Sequence, residues 1–360
     1  VRQDLNKSLK ILLIGCGKIA HSYATAIHGH PDMVLSAVVD ENCEAARAFG
    51  ISFNCPFYTS LEDYLAGTDF ADFGVICTPP SRHSEIAKRL MQRGTSILCE
   101  IPFAPDSTTA EKMIDVSRAF GVQLMMGSRF RYITDIIHAR GLIQSGILGR
   151  ILVFEIDFRD VVDNANQKRS RLETGYGGVL MDSGNHAIDI ARYFFGPLLR
   201  VRAEEAQRFQ FQDVEDTVRL DMRTISGVIG TAHLSWTIKN ACDDYVRIYG
   251  TQGTLCVGWK TSMYRLNGVI DWIKFGEGYS TLKALTRQME NLIDAVKGEG
   301  VPETTAEDGR ESVRVLEAAY QSLSTGNWID LHSASSELVA PAFERNFRVL
   351  RPRKLSSSNV

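Results

Sequence analysis

Short apolar runs alternate with amphipathic stretches along the first third of the chain. Residues 10–14, 34–40, 72–77, 95–99 and 123–126 are near-continuous apolar segments, the pattern of strands buried on both faces of a parallel sheet. Between them, 19–28, 44–49, 81–92 and 108–120 place apolar residues at helical spacing. Ser60-Leu61-Glu62-Asp63 reads as a capping box opening a short helix. Such alternation predicts a doubly wound parallel sheet, whose ligands bind beyond the carboxyl ends of its strands. A helix over 132–144 leaves this unit, and the pattern then changes. A strand begins at 151, a polar loop fills 160–174, and a helix is predicted over 178–195. Alternating runs at 217–222, 231–238, 244–249 and 254–257 predict a mostly antiparallel sheet, with Gly250-Thr251-Gln252-Gly253 as a hairpin turn. Helices over 282–296 and 306–324 complete the folded body.

The strongest chemical signal is the turn Gly15-Cys16-Gly17-Lys18-Ile19-Ala20, set directly behind the first apolar run. A buried strand turning sharply into a helix leaves backbone N–H groups and the positive end of the helix dipole facing the turn, a seat for a pyrophosphate. Gly15 permits the turn, Gly17 lets the phosphate approach, and Lys18, Ile19 and Ala20 open the helix, with Ala20 small enough to pack on the strand. Asp40, at the tip of the second strand, is placed to accept hydrogen bonds from ribose hydroxyls. That carboxylate repels a 2′-phosphate and no Arg adjoins it in sequence, so NAD is favoured over NADP. The predicted class is α/β: a Rossmann doubly wound parallel sheet over 1–126, an α+β domain with an open, mostly antiparallel sheet over 127–335, and a partly flexible tail over 336–360 whose basic, serine-rich end, 351–360, frays.

Composition narrows the class. Hydrophobic residues make up 44% and charged residues 23% of the 360, ordinary for a globular chain with two domains. The net charge of −3, with scattered basic residues, argues against nucleic acid as the main partner. No apolar stretch approaches the roughly 18 residues of a membrane helix, and the polar first residues lack the apolar core of a signal peptide. The seven cysteines lack Cys-x-x-Cys spacing and read as reduced thiols of a cytoplasmic protein. His and Cys nowhere cluster at ligand spacing, so no metal site is expected.

Within Gly177–Asp189, Asp182 and His186 are four apart and Asp189 seven from Asp182, so helical periodicity places all three on one face. His186 then offers a proton donor or acceptor, with Asp182 orienting it, as oxidation of a secondary alcohol requires. A polar helix face carrying a satisfied histidine explains the same pattern. Thr78-Pro79-Pro80-Ser81-Arg82-His83 follows the third long strand and reads as a rigid wall for a nicotinamide, or as a plain strand-to-helix turn. Glu100 ends a buried strand on the ligand edge, where it reads as a cofactor contact or as a turn residue.

Together these segments resemble the glucose–fructose oxidoreductase, inositol dehydrogenase and rhizopine catabolism (Gfo/Idh/MocA) family. The resemblance rests on the glycine turn, Asp40-Glu41-Asn42, Thr78–His83 running into Glu85-Ile86-Ala87, Gly177–His186 and Ile248–Leu255, in order over about residues 10–331. It implies NAD-dependent oxidation of a sugar or cyclitol hydroxyl by His186 with Asp182. It also implies a homodimer or homotetramer buried over one sheet face. One departure stands out: the family's Glu-Lys-Pro is Glu100-Ile101-Pro102 here. Ile101 can neither donate a proton nor stabilise an alkoxide, and loss of such a group costs about 10²–10⁴ in rate. Lys168, Arg131 and Tyr176 are candidates to replace it, and with Asp157, Asp182 and His186 they are expected at the substrate. A catalytically silent NAD-binding protein and a redox-neutral sugar-modifying enzyme with tightly held NAD stay open as alternatives.

Overall fold

The computed structural model describes residues 8–68, 70–162, 177–209 and 213–331. Six strands, β1 (Leu9–Ile14), β2 (Met33–Val39), β3 (Phe57–Tyr58), β4 (Phe73–Ile76), β5 (Ser96–Glu100) and β6 (Leu124–Gly127), form one sheet in the order β3-β2-β1-β4-β5-β6. All neighbours are parallel, the doubly wound order whose topology reverses beside β1. Strands β4 and β5 are buried at every position, which is why they read as unbroken apolar runs rather than alternating ones.

The crossover helices are α1 (Lys18–His28), α2 (Cys43–Phe53), α3 (Leu61–Leu65), α4 (Pro80–Met91) and α5 (Ser107–Phe120). Three begin at polar caps: Asn42 accepts from the Glu44 and Ala45 amides, Ser60 from Asp63, and Asp106 from Thr109. Each such cap is worth about 1 kcal/mol. Helices α1 and α4 instead start at Gly17 and Pro79, with no side-chain cap. Their first-turn N–H groups are thus left for something other than the protein's own side chains.

Nine strands build the second sheet: β7 (Ile151–Arg159), β8 (Leu198–Glu205), β9 (Thr217–Thr224), β10 (Ile229–Ser235), β11 (Asp244–Gly250), β12 (Gly253–Gly258), β13 (Ser262–Leu266), β14 (Ile273–Gly276) and β15 (Ile329–Asp330). Their order is β14-β13-β12-β11-β7-β10-β9-β8-β15. All pairs are antiparallel except β7 with β10. Burial alternates along β9 and β12, as a sheet covered on one face requires. The covered face sets Phe154, Ile156, Leu220 and Ala232 against Ile188 and Ala191 of α7 (Asn185–Phe195), with α6 (Thr134–Gln144) supplying Ile136 and Ala139 to the same core.

Two later helices return to the first sheet. Helix α8 (Thr281–Lys297) packs Leu285, Met289 and Leu292 with Tyr23 and Ile27 of α1, and α9 (Ala306–Thr325) packs Ala306 and Val313 with Phe103 and Met113. Helix α7 is shorter than the predicted 178–195, because Leu180–Gly184 forms a π-helical turn before it. Lys168, Tyr176 and the tail over 336–360 lie outside the described residues.

Candidate functional site

A cavity of about 690 Å³ opens at the carboxyl ends of β1, β2 and β4, lined by Ile14, Gly15, Gly17, Asp40, Thr78 and Pro79 among others. Gly15 has φ +92°, and a Cβ there would lie 2.9 Å from the Cys77 backbone. Only glycine lets the turn pass so close to the next strand. Gly17 is different: its backbone is extended, and a Cβ would meet no protein atom within 4 Å. Asp40 is fixed by the glycine turn itself, its Oδ2 accepting the Cys16 N–H at 2.6 Å and its Oδ1 the Asn42 N–H at 2.8 Å. Lys18 is exposed in the first turn of α1, Ile19 packs against the core, and Ala20 is buried.

These features fit an adenine dinucleotide. The uncapped start of α1 offers N–H donors to a diphosphate, and Asp40 keeps acceptor capacity for ribose hydroxyls. Thr78 Oγ1 is buried with no hydrogen-bond partner in the protein, a polar group that a ligand would satisfy. Arg82, distant from Asp40 in sequence, reaches the same cavity and ion-pairs with Glu41, while Arg89 pairs with Glu62.

His83 and Glu100, expected at the cofactor, do not line this cavity. His83 is buried, with Nε2 2.7 Å from the Thr78 carbonyl and Nδ1 3.3 Å from that of Phe103. It clamps the loop that carries Thr78 and Pro79. Burial lowers its pKa despite the two carbonyls. Glu100 turns inward as well: Tyr23 donates to its Oε1 at 2.5 Å, and the Ile101 N–H to its Oε2 at 3.2 Å. Tyr23 has one hydroxyl hydrogen and gives it to Glu100. The Gln288 amide, 2.8 Å from the same hydroxyl, therefore satisfies the contact by presenting its NH₂. Burial raises the Glu100 pKa, opposed by the charge of Arg129. Both residues support the site from beneath.

A second cavity, about 700 Å³, is lined by Arg129, Phe130, Phe158, Asp182, His186 and Trp259 together with the ends of β7 and the loop before β11. Arg129 and Phe130 belong to the 3₁₀ turn Arg129–Tyr132 that follows β6, so this cavity adjoins the ligand edge of the first sheet. The His186 ring lies edge-on to Phe130, centroids 4.9 Å apart, with Phe158 at 6.5 Å. Its Nδ1 is buried without a hydrogen-bond partner. Burial first, and the Arg129 charge second, push its pKa well below the ordinary histidine value.

Asp182 and His186 both line this cavity, but the expected carboxylate–imidazole contact is not made. Asp182 lies on the π-helical turn Leu180–Gly184, and His186 in the first turn of α7. Asp189 leaves the shared face altogether, held by Ser128 and Arg131. Arg131, expected at the substrate, is buried in an ion-paired network with Asp189 and Asp308. Asp157 pairs with Arg159, and it is Arg159 that reaches the cavity. The sequence reading missed Arg129. Its position directly after β6, at the carboxyl edge of a parallel sheet, was the signal that pointed to it. Among the described residues, no cluster of three His, Cys, Asp or Glu side chains is placed to hold a metal. No helix among them is long and apolar enough to cross a membrane.

Comparison with known proteins agrees with this fold. D-apiose dehydrogenase from Paraburkholderia graminis is 24% identical over 352 residues, covering 93% of this chain and 92% of the relative. Inositol 2-dehydrogenase from Rhizobium meliloti is 25% identical over 339 residues, covering 89% and 98%. The crystal structure of the WlbA dehydrogenase from Bordetella pertussis, in complex with NADH and UDP-GlcNAcA, superposes with a TM-score of 0.80 at 23% identity, covering 92% of this chain and all of that one. Residues 9–128 match the model of the oxidoreductase family with an NAD-binding Rossmann fold, and residues 136–256 match the GFO/IDH/MocA C-terminal domain. The chain belongs to the GFO/IDH/MocA family of NAD-binding oxidoreductases.

Proposed function

We propose that the protein oxidises a secondary hydroxyl of a sugar, cyclitol or sugar derivative, reversibly and with NAD. The observation that carries this reading is the shared cavity: His186 meets Arg129 and Phe130, the residues that leave the last strand of the dinucleotide-binding sheet. The relatives named D-apiose dehydrogenase and inositol 2-dehydrogenase support a polyol substrate.

When bound, NAD supplies the two-electron acceptor for the carbinol carbon. Gly15, Gly17 and the first turn of α1 (Lys18, Ile19, Ala20) seat its diphosphate, Asp40 its ribose, and Thr78 and Pro79 wall the same cavity. His186 is neutral at neutral pH because burial disfavours the imidazolium. Its Nε2, the ring nitrogen that is not closed off, accepts the hydroxyl proton. Asp182 lines the cavity wall and takes a neighbouring substrate hydroxyl. The aromatic rings of Phe130, Phe158 and Trp259 exclude water from the apolar face of the sugar. NAD is preferred to NADP because Glu41 already occupies Arg82.

The test mixes the protein with NAD⁺ and a panel of polyols, aldoses and cyclitols and follows the near-ultraviolet absorbance of NADH. Turnover that falls about 10²–10⁴-fold in His186→Ala supports the assignment. Saturable NAD binding with no reduction by any of them points instead to a silent NAD-binding protein.

A further inference from the structure

Arg129 is held unlike the other cations of the second cavity. Its Nε donates to the Tyr279 hydroxyl at 2.7 Å, and its guanidinium carbon lies 5.4 Å from the Phe130 ring centre. Among the described residues, its two terminal nitrogens have neither a hydrogen-bond partner nor an ion pair, although the side chain is half-buried in the cavity wall. Arg159 is already committed to Asp157, and Lys239 and Lys260 are exposed at the rim. Ile101, which follows the buried Glu100, packs against the core of the first domain and brings no charge to the site.

We propose that Arg129 holds the reacting oxygen of the substrate: its terminal N–H groups bind the hydroxyl whose proton His186 removes and carry the negative charge that grows there. The inference rests on the proposed function and divides the labour of the site. As oxidation proceeds, the substrate O–H bond breaks and its proton forms an N–H bond at His186 Nε2. The carbinol C–H pair passes to NAD⁺, and the oxygen becomes a carbonyl still hydrogen-bonded to Arg129. A guanidinium cannot itself exchange a proton in this range. It therefore acts by charge and geometry alone, in a cavity walled by aromatic rings where such stabilisation is large.

The same charge acts on His186. The charged and titratable groups that line the cavity with the imidazole are Arg129, Asp182 on the turn before its helix, Arg159 and Asp160 at the end of β7, Lys239, Cys242 and Asp243 between β10 and β11, and Lys260 after β12. Arg129 is the one whose charge disfavours the imidazolium, which keeps the base ready.

Two variants test the role, Arg129→Met and Arg129→Lys, each first shown to bind NAD with near wild-type affinity. In Arg129→Met, kcat is expected to fall by about 10²-fold or more, with a smaller change in KM. Arg129→Lys, or added guanidinium ion, recovers part of the loss. Titration of His186 in NAD-free protein, followed by NMR of labelled histidine, is expected to move upward in Arg129→Met. Wild-type kcat in Arg129→Met, or a change in KM alone, overturns the proposal. An unmoved His186 titration overturns it too, even with no substrate in hand. A wild-type protein that turns over nothing defeats the proposed function instead.

Discussion

Arg131 grips Asp189 along one edge of its guanidinium, with Nε 3.1 and 3.0 Å from the two carboxylate oxygens and Nη2 closing on Oδ1. The other edge holds Asp308 Oδ2 at 3.0 Å and the Glu303 carbonyl at 3.1 Å. The network joins the turn after β6 to α7 and α9, and both Arg131 and Asp189 are buried. It therefore sets where Arg129 and His186 stand. Removing one partner leaves an uncompensated buried charge, which typically costs about 3–5 kcal/mol. Arg131→Met is expected to lower the urea midpoint accordingly, while Arg131→Met with Asp189→Leu recovers part of that loss. Losses in Arg131→Met and Asp189→Leu that simply add in the double variant would show that the pair is not coupled.

Gly15 and Gly17 separate two demands that sequence motifs merge. Gly15→Ala forces a left-handed backbone on an L residue, a strain of about 1–3 kcal/mol. It also drives a methyl against the Cys77 backbone. Loss of thermal stability is expected together with loss of NAD binding. Gly17→Ala keeps an ordinary backbone, at φ −76°, and meets no protein atom. Its stability should stay within about 0.5 kcal/mol of wild type. NAD affinity should still fall tenfold or more, about 1.4 kcal/mol, because the methyl enters the cavity beside the helix start. Melting curves and calorimetry on both variants check this; Gly17→Ala binding NAD normally would move the diphosphate elsewhere.

The first sheet was legible because its information is local. Buried parallel strands, a glycine turn and an acid at the next strand tip can be read from spacing alone, and they lie together around one cavity. The second site was legible only in part. His186 and Asp182 line one cavity, while the π-helical turn Leu180–Gly184 leaves no mark in apolar periodicity. Arg129 and Arg131 show the limit most clearly. Two residues apart in a 3₁₀ turn, their side chains leave in different directions, one toward the cavity and one into the core. Which arginine faces the cavity depends on α7 and α9, more than fifty residues away in sequence. Strand β8 was overlooked although Leu199-Arg200-Val201-Arg202-Ala203 alternates, its charges facing out of the core.

Histidine burial predicts a pH dependence with a definite sign. His83 and His186 both have folded pKa values below the ordinary value of about 6.5, chiefly through burial. Below that pH the unfolded chain binds protons that the folded chain does not. Their contribution to stability is thus complete above about 6.5 and is lost as pH falls through the folded values. Each adds a slope of up to about 1.4 kcal/mol per pH unit across that window. Urea unfolding from about pH 7.5 downward should show stability falling below 6.5, with a shallower fall in His186→Gln. The acid limb of kcat/KM should likewise lie below the ordinary histidine range. A limb at or above about 6.5 would mean that another group takes the proton.

Cofactor choice turns on the pair formed by Arg82 and Glu41. Arg82 comes from the first turn of α4, and Glu41 follows Asp40, proposed for the ribose; both line the cavity that would hold the adenosine end. While Glu41 neutralises Arg82 and Asp40 presents its carboxylate, a 2′-phosphate meets net negative charge. The ion pair is substantially exposed, so breaking it should cost the fold at most about 1 kcal/mol. Glu41→Gln is therefore expected to leave the melting temperature nearly unchanged and NAD affinity within a few-fold of wild type. NADP affinity should rise by about tenfold, since the freed guanidinium can form charge-assisted hydrogen bonds to the phosphate. Adding Arg82→Ala should abolish that gain. Isothermal calorimetry with both coenzymes on the three proteins decides the matter. A gain in NADP binding that survives Arg82→Ala would show that loss of the Glu41 charge itself, and not the freed arginine, governs the choice.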